Sequence, residues 1–297
     1  MTVRHARFVV PPAGYQLPAD VSLGHVALQV ADLNRSLEYY QRVIGLRIIS
    51  QTVSTARMGT HGNDSVIVEL RAKPGVAAVP SRGRLGLYHF AILLPTRAAL
   101  GQFLAHLGLI DEYAGMSDHL VSEALYLTDP DGLGIEVYAD RPRDSWRLDG
   151  EAIAMATDPL DVHDLLAARG ETPWSGIPVG TRIGHVHLYV DTLEKSEAFF
   201  HEALGFDKVV LQFPGALFLS AGGYHHHLGT NIWAARSPNA TNNDARLLEW
   251  RIVFSHATDV KAAARSLEDA GFPVTREGES AFVTEPWGTR LRLTAEA

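Results

Sequence analysis

The sequence predicts an α+β fold built from four βαβββ modules in series, and three observations predict it. The first is an internal repeat. GHVALQVADLNRSLEYYQRVIGL begins at Gly24 and GHVHLYVDTLEKSEAFFHEALGF at Gly184, a constant offset of 160 residues. Self-similarity at a fixed period marks copies of one structural unit. The second is a weaker interleaved pair, LYHFAILLPTRAALGQFLAHLG and LLEWRIVFSHATDVKAAARSLEDAG. The third is a pair of endings, TDPDGLGIEVY and TEPWGTRLRLT, in which Pro-Asp-Gly and Pro-Trp-Gly supply turn chemistry between strands.

Taken in order, the chain opens with an extension over residues 1–21, and the modules span 22–72, 86–140, 182–236 and 246–295. Module one starts with an alternating strand that puts His25, Ala27 and Gln29 on one face. Its helix carries apolar residues at Leu33, Leu37, Tyr40 and Ile44, with Asp32 as N-cap and Gly45 just past the end. Module two has a strand with His89, a Thr96 cap, a helix ending at Gly108 and a last strand with Glu136. Residues 141–181 connect the halves and contain a short helix near Pro159–Arg169. Module three repeats module one, with His185, His187 and Tyr189 on one strand face, Thr192 as cap and Gly205 as stop. Module four offers Trp250 at the first-strand position, a Thr258 cap, Gly271 and a last strand with Arg292. Residues 22–140 and 182–297 are expected to form an N-terminal and a C-terminal domain of two modules each.

Composition narrows the function. A net charge of −8 argues against nucleic acid or an anionic membrane as partner. The chain has no cysteine, which removes disulfides, thiolate metal sites and a cysteine nucleophile. The first 20 residues lack a signal-peptide pattern, and no apolar run approaches the roughly 18 residues of a membrane span. A cytoplasmic protein is the expectation, with a homo-oligomer left open.

Four such modules with GHV openings and a DPDG-x-x-x-E ending resemble the vicinal oxygen chelate superfamily: glyoxalase I, extradiol ring-cleaving dioxygenases and bleomycin-resistance proteins. GLYHFAILLP, SDHLVSEALYLTDPDG, YADRPRDSW and SAGGYHHHLGTNIW look like the two-domain catechol-2,3-dioxygenase-like proteins of bacteria. The resemblance covers nearly the whole chain after residue 20. It implies that modules pair into two cupped half-barrels, the vicinal oxygen chelate or glyoxalase-like fold, with metal ligands projecting inward from equivalent strands.

A His and a carboxylate from two strands of module two, His89 and Glu136, make two thirds of the 2-His-1-carboxylate set that suits non-haem Fe(II). Local sequence leaves the third ligand open. Pairing modules one and two supplies His25 and adds Glu69; pairing two and three supplies His185. The resemblance favours the second, because it places a catalytic histidine at His226 and outer-sphere partners at His119 and Tyr126. Three consecutive histidines on a strand alternate in direction, so either His226 or the pair His225 and His227 faces inward.

The resemblance thus implies an Fe(II) enzyme, with Mn(II) as alternative, that opens a catechol-like or hydroquinone-like ring with O2 in aromatic catabolism. A non-ligating His near its ordinary pKa of about 6.5 suits proton transfer from the diol, and the Tyr126 O–H suits donation to a substrate oxygen. Two other classes stay open. A glyoxalase-type lyase or isomerase would use His25, Glu69, His89 and Glu136 with Ni(II), Zn(II) or Co(II). A non-catalytic protein would bind a small molecule without metal. Trp146, Trp174 and Trp233 are read as packing residues.

Overall fold

The structure, a computed structural model, describes residues 9–150 and 152–296. The first eight residues of the expected N-terminal extension lie outside the described residues. Two curled sheets dominate the fold. The eight-stranded sheet runs Asp207–Val210, Ala216–Ser220, Leu228–Asn231, Arg182–Tyr189, Gly86–Leu93, Gly134–Asp140, Ser122–Thr128 and Gly115–Asp118. The nine-stranded sheet runs Val274–Glu277, Ser280–Thr284, Arg290–Ala295, Arg246–Phe254, Val26–Val30, Val66–Ala72, Thr55–Gly59 and Arg47–Gln51, with Ser22–Leu23 added beside Arg246–Phe254.

Module two therefore joins module three, and module one joins module four. The junctions are antiparallel: Phe90 faces Val186 in one sheet and Leu28 faces Leu247 in the other. This corrects the expected division at 22–140 and 182–297, since each sheet takes one module from each half of the chain. Within each half, the first strands of consecutive modules lie in different sheets, and the 141–181 connection brings Arg182–Tyr189 back beside Gly86–Leu93.

Local chemistry explains most element ends. Asp32, Thr96 and Thr192 accept the backbone N–H of Arg35, Ala99 and Lys195, satisfying an otherwise orphaned donor at each helix start. The helices of modules one and three loosen into π turns over Tyr40–Ile44 and Glu197–Ala203. Gly45 then reverses the chain at φ 85°, where an added Cβ would also stand 2.9 Å from the Trp174 ring. Three local expectations are corrected. The helix Ala257–Asp269 is capped at His256 rather than Thr258. Arg97–Leu109 runs through Gly108, and Asp111 takes the left-handed turn at φ 56°. The connecting helix is Val162–Ala168.

The convex faces bury the core. Phe90, Ile92, Leu100 and Phe103 fill one side, and Trp250, Ile252, Phe254 and Leu267 the other. The two sheets are tied by the Asp129–Asp131 turn of module two. Asp131 accepts Ala31 N–H at 3.0 Å and pairs with Arg35, while Tyr40 O–H donates to Asp129 at 3.2 Å. The concave faces carry the polar side chains.

Candidate functional site

Strand alternation sets the inner surface of the eight-stranded sheet. His89 lies on Gly86–Leu93, and His185 and His187 lie on Arg182–Tyr189, where His187 pairs with His89 and His185 with Ala91. Glu136 sits beside Ala91 on the other flank and faces Tyr126 on the next strand. These pairings bring three donor atoms together. His89 Nε2 and His185 Nε2 stand 3.0 and 3.1 Å from the same oxygen of Glu136, and 3.3 Å from each other. All three residues are at most 5% exposed. Among the described residues this is the one group of three able to hold a metal ion in this way.

The donor set fits a divalent cation. Metal–nitrogen distances of about 2.1 Å put donors about 3.0 Å apart at right angles and about 3.4 Å apart at tetrahedral angles. The two edges to Glu136, 3.0 and 3.1 Å, lie nearer the right-angled arrangement and the 3.3 Å edge between the imidazoles nearer the tetrahedral one; in either case three protein donors cap one side and leave the other for further ligands. Protonation agrees. Burial holds the His89 imidazole below its ordinary pKa despite Glu136 beside it. Burial alone would raise the Glu136 carboxyl, but His185 and His89 hold it well below the usual range. A carboxylate and a neutral imidazole are the forms that ligate metals.

The cluster opens into a cavity of about 240 Å³, also lined by Tyr88, Phe213, Phe218 and Trp233. A cavity of about 150 Å³ accepts benzene, so this one holds a single substituted ring. A larger cavity, about 880 Å³, lies between the helices Arg97–Leu109 and Val162–Ala168. Among the described residues it holds no group of three ligating side chains, so the smaller cavity is the candidate site.

His226, His119 and Tyr126 line the same cavity. His226 packs on His185 with ring centroids 4.1 Å apart and planes tilted by 45°, while its neighbours turn away: His225 to Asp140 and His227 to Ser220. Hydrogen bonding assigns the tautomers. Asp140 as a carboxylate only accepts, so His225 Nε2 donates to it at 2.8 Å. In a neutral His225, Nδ1 then accepts from His226 Nδ1 at 2.8 Å, which leaves the lone pair of His226 on Nε2. Burial, reinforced by His185 and His225, keeps the His226 imidazole well below its ordinary pKa and therefore neutral.

The same reasoning applies to the second pair. His119 Nδ1 donates to the Ala156 carbonyl at 2.6 Å, so its Nε2 accepts the Tyr126 hydroxyl, also at 2.6 Å. The proton expected to point from Tyr126 to substrate is spent on His119. Burial and the Glu136 carboxylate push the Tyr126 phenol well above 10, so it stays protonated.

Sequence reasoning missed several groups. His187 lines the cavity and takes Asn231 Nδ2 at 3.0 Å; Gly229 makes room, since a Cβ there would stand 2.8 Å from the His187 ring. Its position two residues after His185 on one strand was the available signal. Trp233, read as packing, is a cavity wall. Trp146 and Trp174 do pack, against Tyr224 and Phe103.

His25 and Glu69 lie in the other sheet, 3.5 Å apart. The four-ligand set His25, Glu69, His89 and Glu136 is therefore not brought together, because modules one and two do not pair. The module-four position is also corrected: Glu249, not Trp250, occupies the register of His89, facing Ala27 as His89 faces His187. Trp250 is wholly buried in the core.

The profile of the Glyoxalase/Bleomycin resistance protein/Dioxygenase superfamily matches residues 22–137 and 182–293. The chain belongs to this superfamily. It is similar to the catechol-2,3-dioxygenase of Bacillus subtilis (strain 168), 41% identical over 271 residues, covering 90% of this chain and 94% of the relative. A solved Bacillus subtilis structure superposes with a TM-score of 0.65 at 15% identity, covering 95% of this chain and 86% of that one. Glyoxalase I from Zea mays superposes with a TM-score of 0.53 at 17% identity, covering 92% of each chain. The two structures share the superfamily's fold. Among the described residues no helix is long and apolar enough to cross a membrane.

Proposed function

We propose that this superfamily member is an extradiol dioxygenase that opens the ring of a small aromatic diol with O2, using Fe(II), or alternatively Mn(II). The observation that carries the reading is the buried His89, His185 and Glu136 triangle inside a ring-sized, aromatic-walled cavity. The 41% identity to a catechol-2,3-dioxygenase over most of both chains supports it. His89, His185 and Glu136 would hold the metal. When bound, a redox-capable divalent metal supplies charge that gathers the vicinal diol oxygens and couples the ring electronically to O2.

The rest falls to the chain's own side chains. Tyr88, Phe213, Phe218 and Trp233 enclose a flat ring and exclude water. His226, neutral with its lone pair on Nε2, takes a proton from the diol and later returns it. The bond through His225 to Asp140 fixes the His226 ring and tautomer. Tyr126 offers an oxygen lone pair to the remaining substrate hydroxyl, because its proton is held by His119.

Aerobic incubation of the Fe(II)-loaded and Mn(II)-loaded protein with a panel of catechols tests the proposal. A yellow ring-opened product with equimolar O2 uptake is the expected result. No uptake with any single-ring diol in either metal form would remove the proposal. A glyoxalase-type lyase draws on residues of two different sheets and is not favoured by any observation here.

A further inference from the structure

The nine-stranded sheet has its own concave face, and register relates it residue by residue to the metal-site cup. Ala27 faces Glu249 as His187 faces His89. Arg290 lies beside Glu249 as Gly134 lies beside His89. Arg292 lies beside Arg251 as Glu136 lies beside Ala91. Arg57 faces Glu69 as Phe218 faces Gly229. Four positions that are Ala91, Gly134, Glu136 and Phe218 in one cup are thus Arg251, Arg290, Arg292 and Arg57 in the other. The substitution inverts the cup: the metal-site carboxylate becomes a guanidinium, and an aromatic wall becomes another.

Charge on this face is unbalanced. Glu249 is paired with Arg251 at 2.9 Å and Arg290 at 2.7 Å, and Glu69 with Arg71 at 2.7 Å and Arg57 at 3.4 Å. Among the described residues Arg292 reaches only the Ser280 hydroxyl, at 2.9 Å, and the face of Phe282. Five arginines therefore stand against two carboxylates, a local excess of three positive charges in a chain of net charge −8. One donor is also unspent: Arg251 Nε is shielded from solvent and makes no hydrogen bond among the described residues, whereas His25 Nε2 stands 3.5 Å from Glu69 Oε2. Arg57 and Arg290 leave the rim open, with side chains 52% and 44% exposed.

We propose that this cup binds a small doubly charged oxyanion, carried as a phosphate ester or as a dicarboxylate. Guanidinium forks match planar or tetrahedral oxyanions in pairs, and a doubly charged one would offset most of the excess positive charge. The inference stands on the second sheet alone and does not depend on the proposed ring cleavage.

Equilibrium dialysis of the metal-loaded full chain against radiolabelled sulfate, at fixed ionic strength, tests it. Saturable uptake of one sulfate per chain is expected. Arg292→Gln should weaken uptake by about tenfold or more, as loss of a charge-assisted hydrogen bond does. Arg57→Gln, at a half-exposed side chain on the rim, should weaken it in the same direction. His89→Ala should leave it unchanged. Displacement by succinate identifies a dicarboxylate ligand, and displacement by glycerol phosphate a phosphate ester. Uptake that fails to saturate, that survives both arginine substitutions, or that disappears in His89→Ala would overturn the proposal.

Discussion

His89 and His185 approach each other through their Nε2 atoms to 3.3 Å, across antiparallel strands contributed by modules two and three. Both nitrogens also address a single oxygen of Glu136. Two imidazole N–H groups at this separation would oppose each other, whereas two lone pairs and a carboxylate converge well on one cation. The contact also explains why neither half of the chain could build the site alone: the two rings come from opposite sides of the 141–181 connection.

Metal content should divide the histidines accordingly. His89→Ala, His185→Ala and Glu136→Ala are each expected to lose metal by more than the roughly 10–100-fold typical of residues that only support a ligand. His25→Ala should keep it, since His25 lies in the other sheet. Elemental analysis of the four purified variants under anaerobic loading decides the matter; a metal-replete His185→Ala would refute the triangle as a ligand set.

Much of this was legible in the sequence, and particular residues show where legibility ends. The alternation of His185 and His187, the caps at Asp32 and Thr192, and the DPDG turn before Glu136 are local, and local chemistry determines them. The choice between His25 and His185 is not local. Both follow a glycine and precede valine in copies of one unit, and only pairing with strands far along the chain, at Ala91 for His185 and at Glu249 for the strand after His25, separates them. Module four failed differently. Its strand reads LLEWRIV, and the large Trp250 attracts alignment with His89, although it matches Phe90 in the core and leaves Glu249 inward. Tautomers such as those of His119 and His226 depend on a carbonyl at Ala156 and a carboxylate at Asp140, partners that folding alone supplies.

Removing the proposed acid–base group should separate binding from chemistry. His226→Ala is expected to retain metal and to lose ring cleavage by about 10²–10⁴-fold, the usual worth of a positioned proton-transfer group. Steady-state O2 uptake together with metal analysis gives both numbers for one sample. An unchanged rate would return His226 to a packing role against His185.

Tyr126→Phe should act on stability as well as rate. The substitution deletes the hydroxyl that His119 Nε2 accepts at 2.6 Å, leaving a partly buried nitrogen without its partner. A loss of about 1–3 kcal/mol in urea denaturation is the expected cost. Full stability in the variant would show that water replaces the hydroxyl and that the His119–Tyr126 bond is not what orders this wall of the cavity.

Glu285 gives a pH dependence remote from the candidate metal site. It occupies in module four the turn position that Asp129 holds in module two; both donate backbone N–H to the residue four ahead, at 3.0 and 2.9 Å. Burial pushes the Glu285 carboxyl up to about 8, against the opposing effect of Thr289. In the unfolded chain a glutamate titrates near 4.3. Between about pH 4.3 and about pH 8 the folded state therefore holds a proton that the unfolded state has released. Its contribution to stability is full below the lower value, falls as pH rises through this window, and levels off above about 8. Glu285→Gln keeps the shape and removes the titration, so the variant should gain on wild type as pH rises, by roughly 3–5 kcal/mol at most. Urea denaturation of both proteins at several pH values between about 5 and about 8.5 measures the difference directly. Parallel curves would mean that Glu285 is ionised in the folded state, with the turn opened enough to hydrate it.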